Sequence, residues 1–414
     1  MSSTTLSFSC RSCGSVRSEL VLSLGSTPLA NSLVLGPQSM VAEPRFPLDL
    51  VFCPDCTLVQ ITETIPPEQL FSDYLYFSSF SDGMLKHARE LTARFATSAK
   101  LGPTSLAVEV ASNDGYLLQY YKEAGIPVLG IEPAQNVAKV AVEKRGIPTV
   151  VEFFGREVAT RLAREGRRAD ILHANNVLAH VADLNGFVAG IREILTDDGI
   201  AALEFPYLGE MIDRCEFDTI YHEHLCYYSL HALKHLFEKH GLKLIGVERV
   251  AIHGGSLLLQ AARAGSSHAP APAVAAFLAE EFGRGMTTIG FYRDFARRVH
   301  ALKDTLGALL GSLKAEGKRV AAYGAAAKGS TLLNVFGIGR ETLEFVADRS
   351  TYKQGRYMPG VHIPIVAPDA LLAEMPDYTL LLTWNFADEI LDQQKEYRRR
   401  GGKFIIPVPD ARIV

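Results

Sequence analysis

The densest cluster of reactive side chains lies just past the middle of the chain, in the segment FDTIYHEHLCYYS. Six proton-handling side chains occupy the eight positions from 221 to 228: Tyr221, His222, Glu223, His224, Tyr227 and Tyr228. A histidine titrates near neutral pH and can remove a proton, while tyrosine hydroxyls can stabilise an oxygen on which charge develops. The segment therefore predicts acid-base chemistry. A metal site is the alternative, but the spacing is not H-E-x-x-H and no third ligand is evident in the sequence.

These side chains can act together only if the backbone directs them to one place. An extended segment would alternate, with Tyr221 and Glu223 on one face and His222 and His224 on the other. The alternative to a reacting site is that some of these groups hydrogen-bond inward and others meet water. A second polar and aromatic segment, DYLYFSSFSDG, carries Tyr76 beside several serines and could close over a ligand. It could equally be an interdomain hinge packed by aromatic rings.

Four of the six cysteines form two C-x-x-C pairs near the amino terminus, Cys10 with Cys13 and Cys53 with Cys56. Two intervening residues let both thiolates of a pair turn toward one metal ion, and four sulfurs complete a closed tetrahedral site. Such a site leaves no position for water, so we expect a structural Zn²⁺ that stabilises folding. The alternative is four unrelated reduced cysteines.

Apolar strands alternate with helical segments from Ser105 onward, as in a parallel sheet with crossover helices. In the first unit, SLAVEVASNDGYLLQYY, Glu109 lies near the strand end, and Asp114 and Gly115 begin the helix. Glu132 ends the next strand, where a carboxylate can accept both hydroxyls of a ribose. The loop has no G-x-G-x-x-G, so a ligand with one ribose and no diphosphate suits it better than a dinucleotide. S-adenosylmethionine fits that description.

A second strand, small-residue loop and helix begin near Lys318, in KRVAAYGAAAKGSTLLN. Lys328 is placed to reach a phosphate, although a solvated surface lysine is the alternative, and Asp348 ends the next strand like a ribose-binding acid. The missing G-x-G-x-x-G favours a nucleoside diphosphate carried by a sugar over NAD. The expected substrate-binding residues, which include those of HGGS and YKQGR, are His253, Gly255, Ser256, Tyr323, Lys328, Asp348, Lys353 and Arg356.

Nearly the whole chain resembles one known family. The paired C-x-x-C module and, in order, VEVASNDG, NNVLAHV, FDTIYHEH, HGGS, YGAAAKG and TWNFADEI carry the resemblance. They look like the zinc-containing, S-adenosylmethionine-dependent deoxysugar C-methyltransferases, which act on TDP-linked 4-keto-6-deoxyhexoses. The resemblance implies that the methyl donor binds the central domain and that the sugar nucleotide binds against the carboxyl-terminal domain.

The resemblance also implies roles for individual residues. Around the reacting carbon and carbonyl it implies His224 as the base, together with Tyr76, His180, Tyr221 and Glu223. For the methyl donor it implies Glu109, Ala111, Asn113, Asp114, Gly115, Glu132, Pro133, Asn175 and Asn176. These residue types suit the reaction, because a carbon next to a ketone becomes nucleophilic when a base removes its proton and the enolate is stabilised.

Length and pattern predict an α/β protein of three parts. We expect a small amino-terminal zinc-binding module at 1–70 and a central class I methyltransferase (Rossmann-like) domain at 71–262. A second Rossmann-like α/β domain, with a linker helix, is expected at 263–414. An amphipathic helix should run from Met84 to Ser98. A linker or exposed loop should follow from Arg263 to Ala276, before a long amphipathic helix.

Composition excludes several classes of function. Of the 414 residues, 48% are hydrophobic and 21% charged, and the formal net charge of -4 offers no attraction for nucleic acid. No apolar run approaches the ~18 residues of a membrane span, and the amino terminus does not read as a signal peptide. We therefore expect a cytoplasmic protein with no membrane partner, as a monomer or weak homo-oligomer.

Three other functions remain open at this point. They are an NAD-linked oxidoreductase acting on a nucleotide sugar, a zinc-knuckle methyltransferase acting on RNA, and a catalytically inactive sugar-nucleotide binding protein. Neither nucleotide loop has the dinucleotide fingerprint, and the acidic balance disfavours RNA. The methylated carbon, C3 or C5, and the nucleobase also stay open.

Overall fold

The computed structural model describes residues 8–36, 43–71, 77–251 and 255–414, and within them the strands form three sheets. The strands in chain order are β1 (Glu19–Thr27), β2 (Phe46–Phe52), β3 (Val59–Ile61), β4 (Ala107–Val110), β5 (Val128–Ile131), β6 (Thr149–Val150), β7 (Ala169–Asn175), β8 (Leu195–Pro206), β9 (Cys226–Tyr227), β10 (Leu242–Val250), β11 (Ser256–Arg263), β12 (Val320–Tyr323), β13 (Val346–Ala347), β14 (Ile365–Val366), β15 (Tyr378–Leu381), β16 (Lys403–Ile406) and β17 (Arg412–Ile413).

The α-helices of the described residues connect and cover these strands. In chain order they are α1 (Pro67–Phe71), α2 (Asp82–Ser98), α3 (Leu118–Glu123), α4 (Gln135–Arg145), α5 (Arg156–Arg164), α6 (Leu184–Ile194), α7 (Leu208–Asp213), α8 (Leu230–Lys239), α9 (Pro272–Gly283), α10 (Ile289–Ala315), α11 (Ala327–Phe336), α12 (Ala370–Glu374), α13 (Ala387–Gln393) and α14 (Lys395–Arg399). Short 3-10 helices lie at Ser78–Phe80, Leu178–His180, Phe217–Thr219 and Trp384–Phe386.

The amino-terminal sheet is antiparallel and has the strand order β1-β2-β3-β9. Cys53 and Cys56 lie between β2 and β3, and Cys10 and Cys13 precede β1, so the sheet holds the two cysteine pairs together. Its last strand, β9, belongs to the tyrosine- and histidine-rich segment and pairs with β3. The predicted zinc-binding module is therefore present, and a strand from the central part of the chain completes its sheet.

The central sheet has seven strands in the order β10-β11-β8-β7-β4-β5-β6. Strand β11 is antiparallel to both of its neighbours, while β4 to β8 pair in parallel. All four residues of β4 are buried, as expected for a parallel strand with both faces covered. The chain order reverses between β4 and β7, so a crevice forms at the carboxyl ends of these strands. This arrangement confirms the predicted class I methyltransferase fold.

The carboxyl-terminal sheet has six strands in the order β14-β13-β12-β15-β16-β17, all parallel except β17. Here the chain order reverses between β12 and β15, which places a second crevice at their carboxyl ends. The four residues of β12 are all buried. The second Rossmann-like unit is thus confirmed as an element of the fold.

One predicted helix begins earlier than expected from the sequence, and a helix that was not predicted begins inside the expected linker. Helix α2 begins at Asp82, because the hydroxyl of Ser81 caps it by accepting the N–H of Met84 over 3.3 Å. Helix α9 begins at Pro272, a residue suited to the first helical position, so the helix starts inside the stretch predicted as a linker. Residues 264–271 alone separate it from β11.

The long helix expected after this linker is α10. It buries Leu302, Leu306 and Leu310 along one face, as an amphipathic helix should. Across the described ranges, none of the helices combines the length and the apolar character that crossing a lipid bilayer would need.

The three sheets are fastened to one another by backbone and side-chain contacts. Asn185 on α6 donates to the carbonyl oxygen of Arg11 over 2.6 Å, which joins the zinc module to the central domain. Val34 of the module and Tyr357 of the carboxyl-terminal domain exchange two backbone hydrogen bonds, of 3.0 and 2.9 Å. The domain boundaries drawn after residues 70 and 262 stay predictions.

Candidate active site

One cavity of about 660 Å³ lies where the central and carboxyl-terminal domains face each other. Its wall includes residues that follow β4, β5 and β7 of one sheet and β12 and β15 of the other. The crevices at the two chain reversals therefore open into the same space. The zinc module adds Asn31 to the wall. A site of this form can hold two ligands that must meet.

The loop after β4 forms one end of the cavity and is tightly wound. Ala111, Asn113 and Gly115 all have positive φ angles, of 53°, 50° and 78°. A Cβ atom at Gly115 would approach Cγ1 of Ile147 to 3.0 Å, so glycine is required there for both conformation and space. Ala111 and Asn113, two residues predicted to bind the methyl donor, line the cavity, whereas Gly115 does not.

Glu132 reaches the cavity from the end of β5. Its two carboxylate oxygens accept the backbone N–H groups of Asn113 and Ala134, each over 2.9 Å. A carboxylate has about four acceptor positions, so capacity remains for the hydroxyls of a ribose. Burial raises the pKa of Glu132, and the two N–H donors oppose that shift. Pro133, Asn175 and Asn176 also line this end.

This end of the cavity fits S-adenosylmethionine. Apolar and aromatic side chains such as Val110, Ile131 and Phe187 can cover an adenine ring. Asn175 adds a buried side-chain oxygen that has no hydrogen-bond partner among the described residues. A polar ligand group at this position would satisfy it.

Two acids that were predicted to bind the donor lie outside the cavity wall. Glu109 is 1% exposed within β4, and burial, with Asp114 and Glu132 nearby, raises its pKa well above the usual value. Asp114 accepts a hydrogen bond from Ser79 and lies 3.4 Å from a guanidinium nitrogen of Arg145. These contacts brace the loop, and a direct contact of either acid with the donor stays a prediction.

The tyrosine- and histidine-rich segment is not extended at its centre. Residues 221–223 form a turn that the N–H of His224 closes on the carbonyl oxygen of Tyr221 over 2.8 Å. The predicted alternation is therefore wrong, because Tyr221, Glu223 and His224 all line the cavity. His222 turns away, and its Nε2 lies 2.9 Å from the carbonyl oxygen of Pro47.

His224 presents one defined nitrogen to the cavity. Its Nδ1 lies 2.9 Å from the carbonyl oxygen of Thr219, which can only accept, so Nδ1 carries the hydrogen. Nε2 is then left with a lone pair and lies 3.0 Å from the hydroxyl of Tyr221. Burial first, then the neighbouring His180 and Lys328, hold the pKa of His224 well below its usual value. The neutral ring can accept a proton.

His180 and Glu223 complete the surroundings of His224. The His180 ring meets the His224 ring edge-on, with centroids 4.7 Å apart, and burial lowers its pKa to about 4. Burial raises the pKa of the Glu223 carboxyl to about 7, while the amide of Asn31 opposes that shift by donating to Oε1 over 2.7 Å. Tyr76, the remaining residue predicted here, lies outside the described residues.

The opposite end of the cavity belongs to the carboxyl-terminal domain and carries a cation. The Nζ atom of Lys328 lies 4.5 Å from the centroid of the Trp384 ring, whose Nε1 donates to Asp218 over 2.7 Å. Burial raises the pKa of Glu216 in the same wall to about 8, and Lys328 opposes the shift. Phe386 leaves an aromatic face accessible at the edge of this end.

Most of the other predicted substrate contacts lie behind the wall. Asp348 accepts the backbone N–H groups of Ala325 and Ser350, each over 2.7 Å, and Lys353 donates to the carbonyl oxygen of Ala325 over 2.8 Å. They hold the loop after β12 in place. The remaining predictions that do not line the cavity are Gly255, Ser256, Tyr323 and Arg356, while His253 lies outside the described residues.

The four cysteines meet as the sequence predicted. Their sulfur atoms all lie within 4.8 Å of one another, with 3.5 Å between Cys10 and Cys56 and 3.6 Å between Cys13 and Cys53. Tetrahedral Zn²⁺ with each sulfur ligand at ~2.3 Å requires sulfur-to-sulfur distances of about 3.8 Å. The Gln60 amide donates to the Cys10 sulfur over 3.1 Å, a contact that would stabilise a metal-bound thiolate. The donor set fits zinc.

Sequence reasoning missed Asn31, Glu216 and Asn385, which all line the cavity. Glu216 stands just before FDTIYHEH and Asn385 is inside TWNFADEI, so the motifs themselves carried a signal for both. Asn31 had none, because it lies 192 residues from its partner Glu223 and in no motif.

Three family models match consecutive parts of the chain. They are described as a putative zinc binding domain (residues 10–71), a methyltransferase domain (83–247) and a C-methyltransferase C-terminal domain (251–409). The chain is 39% identical, over 405 residues, to the C-methyltransferase NovU of Streptomyces niveus. That match covers 98% of this chain and 96% of the relative.

More distant similarities are confined to part of the chain. The ubiquinone biosynthesis O-methyltransferase of Methylobacterium sp. (strain 4-46) is 31% identical over 116 residues, which are 26% of this chain and 45% of that protein. Among solved structures, the magnesium protoporphyrin IX methyltransferase of Synechocystis PCC 6803 with bound SAM is 14% identical. The match covers 44% of this chain and 80% of the Synechocystis chain, with a TM-score of 0.34.

Proposed function

Because the chain belongs to the family of zinc-binding C-methyltransferases and is an S-adenosylmethionine-dependent member, we propose that it methylates a nucleotide-linked 4-keto-6-deoxysugar. TDP is the expected nucleotide, and the methylated carbon is the one next to the ketone. The observation that carries this proposal is the orientation of His224, whose unprotonated nitrogen lies in a cavity shared by two nucleotide-binding folds.

The base required by this reaction is His224. A proton on carbon next to a ketone is released when a base lies close and the resulting enolate oxygen is stabilised. His224 is neutral because burial lowers its pKa, and its Nε2 can take the proton. The carbonyl oxygen of Thr219 then stabilises the imidazolium through Nδ1, and the Tyr221 hydroxyl supplies a donor beside Nε2.

The methyl donor is assigned to the end of the cavity formed by the central domain. When bound there, S-adenosylmethionine supplies an electrophilic methyl group. Asn113, Glu132 and Asn175 would hold its polar parts, and the apolar wall would exclude water. Placing the two reactants in one cavity would supply much of the rate enhancement expected for a transfer between them.

The sugar nucleotide is assigned to the opposite end. A nucleotide sugar carries a diphosphate, and Lys328 places a cation in the wall. The exposed ring of Phe386 offers a surface on which a nucleobase can stack. The reacting sugar would then extend toward His224 in the middle of the cavity.

Mass spectrometry tests the proposal. Purified protein is incubated with S-adenosylmethionine that carries a deuterated methyl group and with a panel of nucleotide-linked 4-keto-6-deoxysugars. One of them should gain the labelled methyl group, and NMR of the product assigns it to C3 or C5. The matched 4-hydroxy sugars, which lack the ketone, should gain none. Labelling of the hydroxy sugars, or of no sugar in the panel, would overturn the proposal.

A further inference from the structure

The zinc module reaches into the reaction site through Asn31. Its side-chain amide donates to Oε1 of Glu223 over 2.7 Å, and both residues line the cavity beside His224. Glu223 is 8% exposed, so its carboxyl has few alternative partners. A residue of the metal-binding module therefore determines how an acid of the reaction site is held.

The turn that carries Asn31 is fixed from both sides. It follows β1 of the module, and three residues later Val34 pairs with Tyr357 of the carboxyl-terminal domain through two backbone hydrogen bonds. Within the turn, the N–H of Leu33 donates to the carbonyl oxygen of Asn31 over 2.9 Å. The amide thus has a defined position relative to the cavity.

The partner segment is also fixed by the module. Strand β9, just beyond Glu223, pairs with β3, and the preceding residue His222 contacts the carbonyl oxygen of Pro47. The module therefore holds the backbone on both sides of Glu223 and, through Asn31, its side chain as well.

We propose that Asn31 is a positioning residue of the methyl-transfer reaction, which keeps the Glu223 carboxyl oriented so that Oε2 presents its proton to the substrate. This inference rests on the proposed function. Since the amide donates to Oε1, that oxygen is the acceptor of the neutral acid and the proton resides on Oε2. A neutral carboxyl in a buried site can donate a hydrogen bond to a substrate carbonyl or hydroxyl oxygen.

The groups around Glu223 allow this protonation state. Tyr221 and His224 belong to the same turn as Glu223, and the ring of His180 forms a hydrogen bond with the backbone of Glu223. Glu68 of α1 lines the same cavity. Burial dominates and raises the pKa of Glu223 to about 7, so the acid is largely protonated below that pH.

The test is a double-mutant cycle with a pH profile. Asn31→Ala should lower kcat by about 5- to 30-fold, the effect of losing one or two kcal/mol of hydrogen bonding. It should also move the alkaline limb of the profile to higher pH, because the lost donor favoured the ionised carboxylate. In a Glu223→Ala background, which removes the oxygen that accepts from Asn31, Asn31→Ala should change kcat by less than about twofold.

Two controls separate positioning from folding. Ser32→Ala alters the next residue of the same turn and should leave kcat and the pH profile unchanged. Zinc content and Tm of Asn31→Ala should match the wild type. A loss of kcat of the same size with and without Glu223, or an unmoved pH profile, would overturn the inference.

One measurement is independent of the sugar substrate. Infrared titration of the Glu223 carboxyl, assigned by its loss in Glu223→Gln, should show a higher pKa in Asn31→Ala than in the wild type. If this shift occurs but no keto-sugar is methylated by the wild type, the proposed function fails while the contact stands. If keto-sugars are methylated and the shift is absent, the role of Asn31 fails.

Discussion

The Nδ1 atom of His224 lies 2.9 Å from the carbonyl oxygen of Thr219, and this contact determines which ring nitrogen can act as a base. A carbonyl oxygen cannot donate, so Nδ1 keeps its hydrogen and Nε2 keeps its lone pair. In the proposed reaction, the same contact would stabilise the imidazolium formed when Nε2 takes a proton. An orienting partner of this kind is a general feature of base catalysis by histidine.

His224→Asn should lower kcat by about 10²- to 10⁴-fold, the usual contribution of a general base. Both ligands should still bind, because the cavity walls that hold them are unchanged. The measurements are the rate of methyl transfer, the exchange of the α-proton in D₂O, and calorimetry with S-adenosylhomocysteine. His235→Asn makes the same change on an exposed face of α8 and should leave the rate of methyl transfer unchanged. Full turnover by His224→Asn would assign the base to another group, with Tyr221 next.

The pH profile of kcat/KM should be bell-shaped and centred below neutral pH. Its acid limb should lie below 6.5, the usual pKa of histidine, because burial lowers the pKa of His224 and the ring must be neutral. Its alkaline limb should fall as the pH rises through about 7, since that is where the Glu223 carboxyl loses its proton. Glu223→Gln should remove the alkaline limb. A limb that persists in this variant belongs to another acid.

Loss of zinc should slow methyl transfer as well as lower stability. Cys53→Ser removes one sulfur ligand, and the module that holds β9 and Asn31 then loses its metal. We expect Tm to fall by roughly 5 °C or more and kcat to fall with it. Binding of S-adenosylhomocysteine should be less affected, because its site is built on β4, β5 and β7. Cys215→Ala should keep full zinc content in metal analysis, since that residue is not among the ligands.

Lys328→Met should weaken binding of the nucleotide sugar by about 10- to 100-fold, the effect of losing one hydrogen bond to a charged group. Lys353→Met is the matched control, because Lys353 donates to the carbonyl oxygen of Ala325 and does not line the cavity. Calorimetry measures the affinity of each variant for TDP and for the intact sugar nucleotide. Equal effects of the two variants would place the diphosphate elsewhere.

Glu132→Gln should weaken binding of S-adenosylhomocysteine by about 10- to 100-fold, because a ribose would lose a charged acceptor. Glu109→Gln should change it by less than about threefold, since Glu109 lies behind the wall. Calorimetry distinguishes the two acids. Comparable losses in both variants would return Glu109 to the binding site.

Glu109 should also affect stability in a pH-dependent way. Its pKa in the folded protein is raised well above 4.5, so the folded state is penalised wherever the unfolded acid is ionised. The Tm of Glu109→Gln relative to the wild type should therefore rise as the pH increases from about 5 to about 8. A constant difference over this range would show that Glu109 does not titrate on unfolding.

The two strand-loop-helix units that open into the cavity could be located from the sequence because each is encoded locally. A buried apolar strand, a short loop and a helix follow one another within about 15 residues at β4 and again at β12. An acid at the end of the next strand completes the pattern in both units. The pattern did not predict the direction of each side chain. All three acids were predicted to bind a ligand, but only Glu132 lines the cavity, whereas Glu109 and Asp348 do not.

By itself, the sequence determined the three-part architecture, the four clustered cysteines and the segment that carries the proposed base, because residue type and spacing along the chain encode these features. The family resemblance had pointed to His224, but only the tertiary structure showed that His224 faces the cavity and His222 does not, since a turn replaces the expected alternation. It alone brought Asn31 to Glu223 across 192 residues. Such a contact depends on how the three sheets pack, and packing across long separations leaves no periodic signal in the chain.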